Sequence, residues 1–249
     1  MKNYQQETAN RIAFIRQMLS TSRTKGIVFG NSGGKDCALV GILCKMACDN
    51  TIGIAMPCHS AQNYQSDMTD ALALAEQFDI ETRVVDLTAT RENLLSAIGG
   101  QLSQTAVTNI APRLRMTTLY AIAARENCLV AGTSNASERH MGYFTKWGDG
   151  GCDFNPIADL RVEEVLDFLR YLNAPQNIIS KPPSAGLYPG QTDEDDMGIT
   201  YAAVDAHLRG EGVSEKEEEI IRRYHSAAGH KLGMPVMYGA EKTGVDILC

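Results

Sequence analysis

This sequence has no long apolar run. Nowhere do about 18 apolar residues follow one another, which excludes a membrane-spanning helix of ordinary length. The first residues, MKNYQQETANRIAF, also lack the apolar stretch of a signal peptide. The sequence therefore predicts a cytoplasmic protein without a membrane partner.

Paired cysteines are missing as well. The seven cysteines are irregularly spaced, and no CxxC pair occurs among positions 37, 44, 48, 58, 128, 152 and 249. A zinc ribbon or a dithiol redox motif is recognised by such pairs. The pattern instead favours reduced thiols, which are usual in the cytosol.

A basic excess is also absent. Lys plus Arg number 23 against 30 Asp plus Glu, so the net charge is -7. Because binding along a nucleic acid requires a basic face, we expect no nucleic-acid partner. The charge balance does not exclude small anionic ligands, since a few local donors are enough to bind them.

What the sequence does contain is an alternation of strands and helices. Apolar runs predict strands at residues 26–30, 51–56, 83–87 and 128–131. Helical patterns occur at residues 5–20, 37–48, 66–78 with Ser66 as N-cap, 112–126, 161–172 and 214–228. This order predicts an α/β fold with a doubly wound, mostly parallel sheet flanked by helices. Residues 136–160 and 181–200 are predicted to be long active-site loops.

Two of the predicted loops directly follow strands, at residues 30–36 and 132–138. In parallel sheets, ligands bind beyond the carboxyl ends of the strands. We therefore expect these loops to form opposite walls of one site.

The first of these loops is rich in glycine, with the sequence Gly30-Asn31-Ser32-Gly33-Gly34-Lys35-Asp36-Cys37. Open N–H groups at a helix N-terminus attract anions, and glycine lets the backbone approach a phosphate. Asp36 would repel that phosphate unless a cation such as Mg²⁺ lies between them. The loop is not a P-loop, because Phe29 stands where that motif begins with glycine. An ordinary strand-to-helix turn is the alternative.

The segment from Ser32 to Asp36 resembles the SGGxD motif of the ATP pyrophosphatases in the adenine nucleotide α-hydrolase-like group. Further segments, in matching order, resemble the ammonia-dependent NAD synthetases. They lie at residues 113–120, 132–138, 142–151, 153, 155–156, 183–187, 190–195 and 230–231. The resemblance covers nearly the whole chain and implies a single synthetase domain over residues 1–249.

The resemblance implies a reaction and its participants. Deamido-NAD (nicotinic acid adenine dinucleotide) would be amidated by ammonia to NAD, with ATP converted to AMP and pyrophosphate through an adenylated nicotinate. Mg²⁺ would be the cofactor and ATP the co-substrate. No glutaminase segment is recognised, so free ammonia is the expected nitrogen donor, and a homodimer is the expected assembly.

The resemblance also assigns residues. Asp36 and Glu138 would be the catalytic and magnesium-binding acids. ATP would be bound by the loop and by two hydroxyl residues further on: Gly30, Asn31, Ser32, Gly33, Gly34, Lys35, Asp36, Cys37, Thr133 and Ser184. Deamido-NAD would be bound by Arg113, Lys146, Asp153, His230 and Lys231. Glu138 could instead be a solvated acid, Thr133 and Ser184 could be turn residues, and Arg113 could form a surface salt bridge. Since Arg113 and Arg115 are two apart on a helix, we expect one of them to face the ligand.

Four residues depart from the family pattern. Lys35 stands where many relatives have an uncharged residue, and it could contact phosphate or point to solvent. Cys37 replaces a serine, and its position at a helix N-terminus could depress the thiol pKa and make it sensitive to oxidants, with an inert buried thiol as the alternative. Val162 stands where relatives carry an ATP-contacting lysine, so that contact is either missing or supplied by Arg161 or Lys181. Gly186 replaces an acidic residue.

Two other functions fit part of the pattern. A related ATP pyrophosphatase with another acceptor would share the glycine-rich loop, but residues 143–155 resemble the NAD synthetases specifically. The second alternative is a nucleotide-binding protein that has lost turnover. It is suggested by Val162, which cannot donate a hydrogen bond as the lysine of the relatives does.

Overall fold

The computed structural model describes residues 2–58, 67–184, 192–235 and 238. The helices are α1 (Tyr4–Ser22), α2 (Lys35–Ala47), α3 (Met68–Gln77), α4 (Thr88–Ile98), α5 (Gln104–Thr108), α6 (Ile110–Glu126), α7 (Ala136–Met141), α8 (Val162–Tyr171), α9 (Gln176–Ser180), α10 (Asp193–Met197), α11 (Tyr201–Leu208) and α12 (Glu215–Leu232). The strands are β1 (Gly26–Gly30), β2 (Thr51–Ala55), β3 (Glu81–Val84) and β4 (Cys128–Ala131). The predicted N-cap Ser66 and the departure at Gly186 lie outside the described residues.

Within the described ranges, the four strands form one parallel sheet in the order β3-β2-β1-β4. The chain passes outward from β1 through β2 to β3 and then returns to β4 on the other side of β1. The strand order therefore reverses between β1 and β4, which is where ligands bind in open α/β sheets. The predicted α/β fold with a parallel sheet is confirmed.

Apolar side chains on both faces of the sheet form the core. Ile27 and Phe29 of β1 point to the face covered by α1, α2 and α8, whereas Val28 points to the face covered by α6. This alternation follows from the two-residue period of a strand. With a layer of helices on each face, the carboxyl ends of the strands remain as the accessible edge.

The helices α7, α11 and α12 form a third apolar cluster beside this edge. It is built around Met141, Val162, Tyr201, Val204 and Ile221. Gly142 ends α7 with a φ of 63°, and its Cα packs so closely on Ala228 of α12 that a side chain would not fit. This contact fixes α12 against the start of the long loop after α7.

Several predicted boundaries were wrong. Residues 136–160 do not form one loop, because α7 occupies their first turn and a half. The third strand lies at Glu81–Val84, two residues before the prediction. Helices α4, α5, α9, α10 and α11 were not predicted, and α10 lies within residues 181–200, which were predicted to be a loop. Among the residues described, none of the helices stays apolar over a length that would reach across a bilayer.

Candidate functional site

A cavity of about 770 Å³ opens at the carboxyl ends of β1 and β4. Its walls include the glycine-rich loop, the segment after β4, one side of α6 and the end of α12. The two loops that were expected to share a site do share it. They are adjacent rather than opposite, since β1 and β4 are hydrogen-bonded neighbours.

The glycine-rich loop turns sharply before α2. Gly33 adopts a φ of 73°, and a side chain there would collide with the backbone oxygen of Asp67. Gly34 is the N-cap of α2, and no side chain caps that helix in the structure as described. The first N–H groups of α2 thus face the cavity side, where Gly30, Asn31, Ser32, Gly34 and Cys37 line the wall. Gly33 belongs to the turn but does not border the cavity.

Asn135 joins the two acids that the sequence singles out. Its Nδ2 donates to Oδ1 of Asp36 at 3.0 Å, and its Oδ1 accepts from the backbone N–H of Glu138 at 3.0 Å. The backbone N–H of Asn135 in turn donates to Oε2 of Glu138 at 3.1 Å. This reciprocal pair is a capping box at the start of α7. Two acids about 100 residues apart in sequence are thereby held together at one wall.

The sequence analysis did not name Asn135, although a signal was present. Asn135 and Glu138 form an Asn-x-x-Glu pattern directly after a strand, which is typical of a capping box. Asn135 is completely buried, so its side chain has no access to water. Its hydrogen bonds with Asp36 and Glu138 are therefore both structural and positioning.

Burial shapes the charge of the site. Burial and the nearby Asp36 raise the pKa of Glu138 well above its ordinary value, while Lys35 and the backbone of Asn135 act in the opposite direction. Such a shift means that the ionised acid lacks sufficient compensating positive charge. The cavity wall therefore presents two carboxyl groups that favour a cation.

Lys35 does not point to solvent. Its side chain is buried, and Nζ donates to Oδ2 of Asp36 at 2.7 Å. The residue still borders the cavity, but its charge is directed at the acid next to it.

The hydroxyl residues assigned to ATP lie on the wall of the same cavity. Thr133 follows Gly132 at the end of β4, and Ser184 borders the cavity beside Lys181. Glu138 also lies on the wall, so it is not a remote solvated acid. These positions bring the whole predicted ATP-binding set to one edge of the sheet.

The residues assigned to deamido-NAD are more dispersed. Lys231 borders the cavity, and its Nζ donates to the carbonyl oxygens of Gly142 at 2.8 Å and Phe144 at 3.0 Å. Lys146 donates to the carbonyl oxygen of His230, which ties the loop after α7 to the end of α12. Arg113 is exposed, and its Nε donates to the carbonyl of Lys146 at 3.3 Å.

Asp153 has a structural partner at each oxygen. It accepts from the backbone N–H of Val130 at 2.7 Å and from the hydroxyl of Tyr120 at 3.0 Å. Four of the residues assigned to deamido-NAD do not border the cavity as it is described: Arg113, Lys146, Asp153 and His230. Hydrogen bonds link Arg113 to Lys146 and Lys146 to His230. The structure therefore gathers them next to the cavity and not within it.

Comparison with known proteins decides the family, because the model described as NAD synthase matches residues 7–233 of this chain. The chain belongs to the NAD synthase family. It is 43% identical over 235 residues to the NH(3)-dependent NAD(+) synthetase of Alkaliphilus metalliredigens, covering 90% of this chain and 94% of that protein.

Solved structures of the family agree. The NMN synthetase from Francisella tularensis superposes with a TM-score of 0.91 at 35% identity, covering 95% of this chain and 99% of that one. The NH3-dependent NAD synthetase from Campylobacter jejuni superposes with a TM-score of 0.80 at 29% identity, again covering 95% and 99%. The chain is thus a C–N ligase of the NAD synthase family with that family's fold.

One departure from the NAD synthase pattern has a structural explanation. Val162 is buried in the cluster with Met141 and Tyr201, and its backbone N–H donates to the hydroxyl of Ser137 at 3.3 Å. It does not border the cavity as described, and neither does Arg161, which pairs with Glu163 and Glu164.

Lys181 is the cation that the structure does place at the cavity wall. Its Nζ lies 2.8 Å from Oδ1 of Asp67 and 2.6 Å from Oδ2 of Asp70. Burial lowers the pKa of Lys181, but its hydrogen bonds to these two carboxylates outweigh that effect and raise it. Of the two residues that could take the place of a lysine at position 162, only Lys181 therefore borders the cavity.

Of the two interpretations of Cys37, the structure favours the inert buried thiol over the reactive one. Burial raises the pKa of the Cys37 thiol, and the hydrogen bond with Ser32, at 3.1 Å, only partly opposes this. The effect of the helix N-terminus is outweighed by desolvation, since a thiolate is poorly stabilised away from water.

Slow alkylation of Cys37 is therefore expected near neutral pH. Iodoacetamide labelling followed by peptide mass spectrometry should give a lower rate at Cys37 in the folded protein than in the same protein unfolded in urea. Cys37→Ser should leave the loss of activity under peroxide unchanged. Protection by that substitution would restore the original hypothesis of a reactive thiol.

Proposed function

We propose that this cavity amidates deamido-NAD with ammonia, consuming ATP and releasing NAD, AMP and pyrophosphate. The observation that carries the proposal is the meeting of Asp36 and Glu138 through Asn135, beside the open N–H groups of α2. Anion-binding amides next to paired acids suit a reaction in which a polyphosphate is held, neutralised and cleaved.

The reaction proceeds in two steps. A nicotinate carboxylate oxygen attacks the α-phosphorus of ATP, and the bond from that phosphorus to pyrophosphate breaks. The nitrogen of ammonia then attacks the activated carbonyl carbon, the bond from this carbon to AMP breaks, and the released proton passes to solvent. The first step is required because a free carboxylate has no good leaving group.

The protein's part is mainly positioning. The glycine-rich loop and the first turn of α2 hold the phosphates, and Thr133 and Ser184 contact the nucleotide from the neighbouring walls. Lys181 supplies a further positive charge on the same side. Holding both reactants in reactive geometry removes much of the entropic barrier.

The two acids fit a magnesium ion. No group of three or more His, Cys, Asp or Glu side chains suited to a metal occurs in the described ranges, so protein ligands alone would not complete the coordination. Mg²⁺ commonly takes one or two carboxylates together with phosphate oxygens and water. Asp36 and Glu138 would hold it, and the raised pKa of Glu138 fits an acid that lacks a cation. The ion would supply charge neutralisation to the phosphate oxygens.

The test is a direct assay of the purified protein with ATP, MgCl₂, deamido-NAD and ammonium chloride. NAD, AMP and pyrophosphate should form in equal amounts, and leaving out ammonium should stop NAD formation. Tight ATP binding with no AMP release would instead identify a nucleotide-binding protein without turnover.

One observation favours a second carboxylate substrate for the same reaction. The solved structure with a TM-score of 0.91 is that of an NMN synthetase, whereas the NAD synthetase from Campylobacter jejuni gives 0.80. The same chemistry applied to nicotinate mononucleotide would give NMN. Comparing kcat/KM for the two acids under the same conditions decides between them, and we expect the higher value with deamido-NAD.

The loop after α7 is proposed to contribute to the dinucleotide site, and Lys231 holds that loop in place. Lys231→Met removes two hydrogen bonds from a charged donor, each worth about 1.5–3 kcal/mol. We expect KM for deamido-NAD to rise about tenfold or more while KM for ATP changes little. Lys216→Met, at an exposed position of the same helix, is the control. An unchanged KM for deamido-NAD would argue against this role.

We also propose a homodimer. Helix α4 buries none of its residues, and Leu94 and Ile98 expose their side chains, Ile98 by 52%. Light scattering should give the mass of a dimer, and Ile98→Glu should give a monomer. Leu72→Glu, at a site 47% exposed on α3, should leave the dimer intact. A wild-type monomer at micromolar concentration would contradict the proposal.

Two further proposals concern the whole chain. A single synthetase domain over residues 1–249 is supported by the family match over residues 7–233. A cytoplasmic location is supported by the described cysteines, Cys37, Cys44, Cys48, Cys58, Cys128 and Cys152, which are free thiols.

A further inference from the structure

Lys35 occupies an electrostatically unusual position. It is the first residue of α2, where the helix dipole is positive and a cation is disfavoured. Its side chain is nevertheless only 6% exposed. Burying a charge is costly unless it is paired, so nearby acidic groups must stabilise Lys35.

The stabilising groups come from four elements. Asp36 of α2 lies 2.7 Å from Nζ, and the ring of Tyr201 of α11 lies 5.7 Å from it. Glu138 of α7 and Asp193 of α10 are the further acids whose charges act on Lys35. Tyr201 also donates to Oδ2 of Asp193 at 3.2 Å. We call Asp36, Glu138 and Asp193 the acidic cluster.

Lys35 is paired with one of the two acids that are proposed as metal ligands. Its Nζ contacts Oδ2 of Asp36, while Asn135 donates to Oδ1 of the same carboxylate. The charge of Lys35 also acts favourably on ionised Glu138, the second proposed metal ligand. The protein therefore places a positive charge of its own in contact with one of the two proposed metal ligands.

We propose that Lys35 is an internal counter-cation of the acidic cluster, which weakens the binding of a free divalent ion and makes that ion bind together with the nucleotide. The inference rests on the proposed function, in which Asp36 and Glu138 are the metal ligands. A divalent ion alone meets the repulsion of Lys35. An ion that binds with ATP is accompanied by several negative charges, which offset that repulsion. Lys35 is thus a positioning residue that couples metal binding to nucleotide binding.

The test is a titration of Mn²⁺, with the free ion followed by electron paramagnetic resonance, in the absence of nucleotide. Wild type is compared with Lys35→Met, which keeps a long side chain without the charge. Lys45→Met is the matched control, because Lys45 lies on the same helix and pairs with Asp79 at 3.2 Å, away from the cluster. Lys35→Arg keeps the charge and should behave as wild type.

We expect Lys35→Met to lower the Kd of Mn²⁺ alone about tenfold or more, as removal of a nearby unit charge predicts. Lys45→Met should not change it. With a non-hydrolysable ATP analogue present, the Kd values of wild type and Lys35→Met should become similar. The rise in Tm caused by Mn²⁺ should also be larger for Lys35→Met. Equal Kd values without nucleotide would overturn the inference.

A further variant separates this inference from the proposed function. Glu138→Gln should weaken Mn²⁺ binding in the presence of the ATP analogue. If it does not, the assignment of the metal ligands fails, whatever Lys35 does. If it does, and Lys35→Met leaves binding of free Mn²⁺ unchanged, only the role of Lys35 fails. Should Lys35→Met not fold, as judged by circular dichroism, Lys35→Gln carries the same test.

Discussion

Glu138→Gln should reduce the rate of NAD formation about a thousandfold. Glu138 is a proposed metal ligand; loss of such a charged ligand removes several kcal/mol of charge stabilisation, and about 4 kcal/mol corresponds to this factor. Glutamine keeps the capping box, because its side-chain oxygen still accepts from the backbone N–H of Asn135. The substitution therefore removes the charge and leaves the start of α7 intact. Steady-state measurement of AMP release provides the comparison.

Stability gives an independent check on the same variant. The pKa of Glu138 is raised in the folded protein, so ionising it costs stability as the pH rises above the ordinary glutamate value. Glu138→Gln removes that cost, and its Tm without metal at mildly alkaline pH should equal or exceed that of wild type. Glu219→Gln, at an exposed position of α12, should change neither rate nor Tm. Wild-type activity of Glu138→Gln would remove this acid from the mechanism.

Asn135→Ser should lower kcat by about 10- to 100-fold, the usual range for residues that orient a metal ligand. Serine remains a good N-cap for α7 but cannot reach Asp36 as the Nδ2 donor does. Asn135→Asp should be more severe, because it also keeps a capping oxygen but places a carboxylate against Asp36. Rates at saturating substrate measure both effects.

The difference between these two variants separates two causes. Loss of the hydrogen bond is common to both, whereas repulsion between carboxylates is present only in Asn135→Asp. Each should retain a cooperative thermal transition, since the cap is kept. Full activity in Asn135→Ser would show that Asp36 is positioned without Asn135.

Much of the sheet could be predicted from the sequence, because its buried strands have unbroken apolar runs. The apolar run at residues 83–87 placed the start of β3 two residues too late. Its backbone does continue to pair with the segment after β2, since Val85 donates to Ala55 and Leu87 to Pro57. An edge strand takes its register from its neighbour, which local composition does not encode.

Helix α4 could not be predicted in the same way. Its apolar residues, Leu94 and Ile98 among them, stay exposed in the single chain. Prediction of helices depends on an apolar face that packs against a core, and α4 has no buried residue.

The site was predictable where motifs are local. The glycine-rich loop and Glu138 each follow a strand, and the parallel order of those strands brings them together. The surroundings of Lys35 were not predictable, because Glu138, Asp193 and Tyr201 come from three separate helices. Which of Arg113 and Arg115 borders the cavity also depended on how α6 is rotated, and Arg115 is the one that does.

The capping box of α7 makes the first turn of that helix and the pairing of the acids a single unit. If that turn frays, Asn135 releases Asp36 and Glu138 in the same event. Local opening of a few residues would thus silence the enzyme while the sheet stays folded. The amide hydrogen of Glu138 is the natural reporter, since its exchange with deuterium measures how often the proposed catalytic arrangement opens.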